Sequence, residues 1–130
     1  LLLDYTERVA LAKLPLGTSK EIFSAVQYIR NRTNAQIGID DVAAAMGKSR
    51  SYITKQFRHE TGKSITEFIT ESKLQDAKRL LRYSDKSLAE IANYLCFSSQ
   101  AYFQTVFKNE TGMTPGEYRK RHETSSSGTR

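Results

Sequence analysis

The chain has little that would cross-link or interrupt it. Its single cysteine, Cys96, excludes an intramolecular disulfide framework and fits a reducing compartment. Its two histidines, His59 and His122, stand apart and offer no cluster for a metal. No apolar run approaches the roughly 18 residues of a membrane span, and no signal-peptide pattern opens the sequence. No segment alternates strictly between apolar and polar residues as a half-buried strand would. Two prolines and seven glycines among 130 residues leave most of the chain free to be helical. There is no nucleophile elbow, no phosphate-binding glycine loop and no His/Cys/Asp ligand spacing, so neither an enzyme nor a metal or organic cofactor is expected.

What is present is a chain that can bury a core, with 38% hydrophobic residues, at a length suited to one domain or two small ones. Twenty Lys+Arg against 14 Asp+Glu give a formal charge of +6, which invites a polyanionic partner. The sequence begins Leu-Leu-Leu without Met, and a piece of a longer protein is expected. Residues 1–17, broken by Leu14-Pro15-Leu16-Gly17, read as the end of a preceding domain plus a linker, and residues 124–130 as a flexible tail.

Four stretches have the form Ser/Thr-x-x-Glu, in which a hydroxyl and a carboxylate satisfy each other's orphan backbone N–H groups at a helix start. They are Thr18…Glu21, Ser64…Glu67, Ser87…Glu90 and Thr114…Glu117, the last with Pro115 at the first helical position. Apolar spacing after these caps predicts helices over about 19–31, 40–46, 49–60, 65–82, 88–95, 99–110 and 115–121. Gly47 and Gly62 are placed to end the second and third. The class is all-α, with a first subdomain over 18–84 and a second over 85–123.

The two subdomains are copies. Val42-Ala43 matches Ile91-Ala92 and Ser49 matches Ser98 at an offset of 49. After one extra residue the offset is 50: Tyr52 matches Tyr102, Phe57 matches Phe107, Glu60-Thr61-Gly62 matches Glu110-Thr111-Gly112, and Glu67 matches Glu117. Each copy has helix-turn-helix proportions, with a small residue (Ala43, Ala92) where two helices cross closely and a second helix capped by Ser49 or Ser98. The aromatic residues Tyr52, Phe57, Tyr102, Phe103 and Phe107 are expected on inward faces. On the outward face of the first copy stand Arg50, Ser51, Thr54, Lys55 and Arg58, and residues 48–63 hold five basic side chains and one acidic. On that of the second stand Ser99, Gln100, Ala101, Gln104 and Thr105, with Lys108 at the far end. Arg and Lys donate to guanine O6 and N7, Gln pairs with adenine, and Thr or Ala touches a thymine methyl.

The run Ala89-Glu90-Ile91-Ala92, Phe97 to Lys108 and Gly112 to Arg119 resembles the C-terminal signature of AraC/XylS-type transcription regulators, and the likeness extends over about 19–121. The resemblance implies a bacterial, cytoplasmic, sequence-specific domain of seven helices. Two helix-turn-helix subdomains, joined by a long helix, would each place a recognition helix in the major groove of duplex DNA. It implies RNA polymerase as a further partner, activation of transcription, and an N-terminal sensing or dimerising domain outside this fragment. Base reading falls to Arg50, Ser51, Thr54, Lys55, Ser99, Gln100, Ala101, Gln104 and Thr105. Phosphate contacts fall to Ser49, Arg58, Lys63, Ser98, Lys108 and Arg119, although Arg119 equally suits a helix C-terminus.

Two positions depart from the family's habit. Cys96 stands where glycine is common and would cost roughly 1–2 kcal/mol if its backbone is left-handed. Lys73 stands where arginine is frequent, which removes a bidentate fork. A connecting helix of about 18 residues is roughly 27 Å long, against about 34–36 Å between successive major-groove segments. One chain could therefore reach two segments of a non-palindromic site. The competing reading is a protein-interaction module, which would show an exposed apolar patch and no sequence preference.

Overall fold

The computed structural model describes residues 17–127, with side chains through 123. Most of the expected linker, and the last three residues of the expected tail, lie outside the described residues. Among those described there are seven helices and no strand: α1 (Lys20–Arg30), α2 (Ile39–Met46), α3 (Arg50–Thr61), α4 (Ile65–Tyr83), α5 (Leu88–Tyr94), α6 (Gln100–Thr111) and α7 (Pro115–Ser127).

Local chemistry sets the helix boundaries. Three of the four reciprocal caps form as expected. The N–H groups of Ser64, Ser87 and Thr114 each donate to the carboxylate of Glu67, Glu90 and Glu117 at 2.8 Å, and the hydroxyls accept in return. The fourth does not. α1 is capped by Ser19, whose Oγ accepts from the Ile22 N–H at 3.2 Å, and not by the Thr18…Glu21 pair. Ser19 is held in turn by Glu60, which accepts from its N–H at 2.7 Å and its hydroxyl at 3.1 Å. A second correction concerns α6: its cap is Ser99, which accepts from the Tyr102 N–H at 3.0 Å, so Ser98 is the extra residue of the second copy. α7 also continues past the expected end at 121, through Ser127.

The chain forms two compact units. The first comprises residues 17–32 and 37–72 among those described, the second 33–36 and 73–127. The division thus falls within α4, after Ser72, and the short segment 33–36 belongs with the second unit.

In the first unit Ile22, Ala25, Val26 and Ile29, spaced i, i+3, i+4 and i+7 on α1, pack with Val42, Ala43, Ile53, Phe57, Ile65 and Ile69. Phe68 meets Phe57 edge to face, with ring centroids 5.5 Å apart. In the second unit Leu74, Ala77, Leu81, Ile91, Ala92, Leu95, Phe103 and Phe107 form the core. An aromatic series runs from Phe97 through Phe103 and Phe107 to Tyr118, centroids 5.1–5.9 Å apart.

Lys73 is buried in this second unit. Its ammonium donates to the carbonyls of Thr33 (2.6 Å), Ala35 (2.9 Å) and Leu95 (2.6 Å), using all three N–H bonds. The loss of a planar fork is thus answered by three acceptors arranged around a point charge. Burial draws the Lys73 pKa below its ordinary value, opposed by the neighbouring Cys96 and Asp76.

Candidate nucleic-acid interface

The turn between α2 and α3 closes at Gly47, whose φ of +68° lets the Lys48 N–H return to the Ala43 carbonyl at 3.0 Å. The turn between α5 and α6 repeats this with Cys96 at φ +59° and the Phe97 N–H on the Ala92 carbonyl at 2.9 Å. The cysteine therefore does occupy a left-handed position without glycine's freedom. It is half-buried, its Sγ 3.6 Å from the Asn34 carbonyl. Ala43 and Ala92 are both buried at the helix crossings.

Each second helix fully buries two aromatic or aliphatic side chains and leaves the rest half-buried or exposed. α3 turns Ile53 and Phe57 inward and α6 turns Phe103 and Phe107 inward. Its far end is tied by a repeated device. The Thr61 hydroxyl donates to the Phe57 carbonyl at 2.8 Å and accepts from the Lys63 N–H at 3.1 Å. Thr111 does the same with Phe107 (2.7 Å) and Met113 (3.3 Å). This is the physical content of the duplicated Glu-Thr-Gly.

In the first unit Ser49, Arg50, Ser51, Lys55 and Arg58 are exposed and Thr54 is half-buried. The cations are not equivalent. Arg50 pairs with Asp40 at 2.9 Å, Lys48 with Glu21 at 3.5 Å and Lys63 with Glu71 at 2.6 Å. Lys55 and Arg58 have no ion pair among the described residues.

In the second unit Ser98, Ser99, Gln100, Ala101, Thr105 and Lys108 are exposed. Gln104 is half-buried and its Oε1 accepts from Gln100 Nε2 at 3.4 Å. Arg119 stands apart from these residues. Its guanidinium donates to the carbonyls of Leu81 (3.0 Å), Ser84 (3.1 Å) and Leu80 (3.4 Å), closing the C-terminal end of α4. The helix-terminus role expected for Arg119 is at the end of its own helix; α7 instead runs on through Ser127, and Arg119 serves the end of α4.

Two of the aromatic expectations need correction. Tyr52 and Tyr102 are 44% and 51% exposed, not inward. Each lies one residue before a buried position, about 100° round the helix. The Tyr52 hydroxyl donates to Glu21 at 3.2 Å, and the Lys48 ammonium lies 5.2 Å from its ring centroid. The polar phenol at matched positions of both copies was the available signal.

The carboxylates of the three reciprocal caps have pKa values held below the ordinary 4.5, first by the backbone N–H groups of Ser64, Ser87 and Thr114. Glu60 is lowered likewise by the Ser19 N–H. His122 is half-buried beside Tyr118, centroids 4.4 Å apart. Burial, followed by the cations Arg82 and Arg121, lowers its pKa.

Two successive helix-turn-helix units, each offering a polar second helix, define a tandem helix-turn-helix DNA-binding domain. Comparison with known proteins agrees. A family described as helix-turn-helix domain matches residues 42–121. The xylose operon regulatory protein of Haemophilus influenzae is 37% identical over 102 residues, 78% of this chain and 26% of that protein. An AraC-type transcriptional regulator from Chromobacterium violaceum superposes with a TM-score of 0.78 at 26% identity, over 83% of this chain and 96% of that one. The DNA-binding domain of AdpA, solved in complex with a target DNA, gives 0.77 at 25% identity, over 82% and 96%. The chain belongs to the AraC family of helix-turn-helix transcription regulators. It spans about a quarter of the xylose regulator's length and 57% of another matching regulator, from Pseudoalteromonas carrageenovora. No helix among the described residues is long and apolar enough to cross a membrane.

Proposed function

We propose that this chain is the sequence-reading part of a longer bacterial transcription regulator, working in the cytoplasm on nucleoid DNA. α3 and α6 enter adjacent major-groove segments of one duplex. Arg50, Ser51, Thr54 and Lys55 read bases in one segment, and Ser99, Gln100, Ala101, Gln104 and Thr105 in the other. Arg58, Lys63, Lys108, the exposed Ser98 and the helix start at Ser49 hold phosphates. Arg119 is left to its structural task.

The observation that carries this reading is the repeated pattern of exposure. In two independently packed units, the same helix buries its apolar positions and offers polar groups suited to base edges. The longer relatives support a further domain, sensing or dimerising, and the family resemblance supports activation through RNA polymerase.

Selection of binding sites from random duplexes tests the reading directly. Two enriched blocks about one helical turn apart, without palindromic symmetry, are expected. Neutralising roughly 6–10 phosphates gives a log–log salt slope of about −5 to −9. A slope near zero, or no enriched sequence, overturns it. Within the site, Gln100→Ala should weaken mainly the preferred sequence, and Lys63→Ala all duplexes alike.

A further inference from the structure

The leading end of α3 differs from that of α6 in a way the base-reading scheme does not account for. The first turn of α6 carries no charge, whereas α3 opens with Arg50, preceded by Lys48, and each of these cations is held by a carboxylate from another helix of the unit. Asp40 comes from the first turn of α2 and Glu21 from the first turn of α1.

Acidic residues at helix starts have an ordinary explanation in the helix dipole. Here it is incomplete. The capping of α2 is done by Asp41, which accepts from the Gly38 N–H at 2.8 Å, while Asp40 turns its carboxylate to Arg50. Glu21 likewise receives both the Tyr52 hydroxyl and the Lys48 ammonium. Exposed pairs of this kind add little to folding stability. Their position matters more. They fix one edge of a guanidinium and one phenol on the face assigned to DNA.

We infer that Asp40 and Glu21 are positioning residues that set sequence discrimination by the first unit. Asp40 anchors Nη1 of Arg50 and leaves the remaining donors of the fork oriented for a base edge. Glu21 holds Tyr52 and Lys48 in one arrangement beside it. Both carboxylates also repel phosphate, so a complex that offers only backbone contacts bears the repulsion without the gain of an oriented base contact. The two effects act with opposite sign on matched and unmatched DNA. This inference rests on the reading of α3 as a recognition helix.

The test compares the whole purified chain with Asp40→Asn and Glu21→Gln, near-isosteric changes that remove charge. Each is titrated against the selected duplex and a random one. Asp85→Asn, an exposed acid in the turn after α4, controls for net charge. For Asp40→Asn the random duplex should bind about 2–5-fold tighter, with a salt slope steeper by about 0.9 as Arg50 becomes free for one more phosphate. The selected duplex should bind about 5-fold weaker or more, at the low end of a bidentate base contact. Glu21→Gln should act in the same direction. Asp85→Asn should move both duplexes together.

Thermal melting separates these changes from loss of fold, because a dipole role alone lowers stability and leaves the ratio of affinities intact. An unchanged ratio in both variants overturns the inference while leaving DNA recognition standing. Absence of any preference in the unmodified chain overturns both.

Discussion

Replacing Lys73 by Met keeps the hydrocarbon stem and removes the ammonium. The carbonyls of Thr33 and Leu95, each 2.6 Å from Nζ in buried bonds, lose their donor. The Ala35 carbonyl is only partly buried, so water can replace its bond. An orphaned buried acceptor costs about 1–3 kcal/mol, which gives roughly 2–6 for the pair. Part of this is returned, because the variant no longer buries a charge whose desolvation already pulls the Lys73 pKa down. A net loss of about 2–4 kcal/mol follows, or a fall in melting temperature of about 10–25 °C for a unit of this size. Urea denaturation followed by circular dichroism measures the total. Amide hydrogen exchange locates it: protection of the Leu95 and Phe97 amides should fall, while that of the Ile53 and Phe57 amides stays nearer its original value. A loss below about 1 kcal/mol, or an equal loss of protection in both helix-turn-helix units, refutes the argument that three carbonyls depend on this one ammonium.

Other expectations follow from the same geometry. Cys96→Gly relieves a left-handed backbone at φ +59° and should stabilise the chain by about 0.5–1 kcal/mol, checked by the urea midpoint; a destabilised variant would mean that the thiol contact outweighs the strain. Arg119→Ala should lower the melting temperature by releasing the carbonyls of Leu80, Leu81 and Ser84, yet leave the salt slope of DNA binding unchanged; a slope reduced by about 0.9 with unchanged stability would restore its phosphate role. Glu67, Glu90 and Glu117 have folded pKa values below their ordinary 4.5, so the stability they contribute is complete above that value. It is lost as the pH falls from 4.5 through the lowered folded values. Changing all three to Gln keeps an acceptor for each cap and should flatten the fall of the melting temperature as the pH drops below 4.5; an unaltered acid limb would contradict the assignment.

Much of the fold was legible because the sequence punctuates its helices chemically. Gly47, Gly62 and Gly112 sit at left-handed helix ends, and three hydroxyl–carboxylate pairs mark starts. The errors have a common cause. At Thr18-Ser19 and Ser98-Ser99 two neighbouring hydroxyls both satisfy a cap pattern, and only the backbone's path selects one. Tyr52 and Tyr102 fail for a related reason, since one residue's rotation at the edge of an apolar stripe decides between burial and solvent. The partners of charged residues were not legible at all. Nothing near Arg119 in sequence indicates the end of α4, and nothing near Arg50 singles out Asp40 from Asp41. The resemblance to a family marked Lys73 as unusual, but only folding brings residues 33–35 to it.

The path of residues 33–36 bears on how the protein can be dissected. These residues are interposed between two helices of one unit, yet they supply acceptors for the other unit's buried cation. A fragment beginning at residue 73 would carry Lys73 without two of its three ligands, and a fragment ending at 72 would keep a loop whose companion is gone. Exchange of one half between relatives therefore has to carry this four-residue graft with it. Units that look serial in the gene share the chain in alternating stretches.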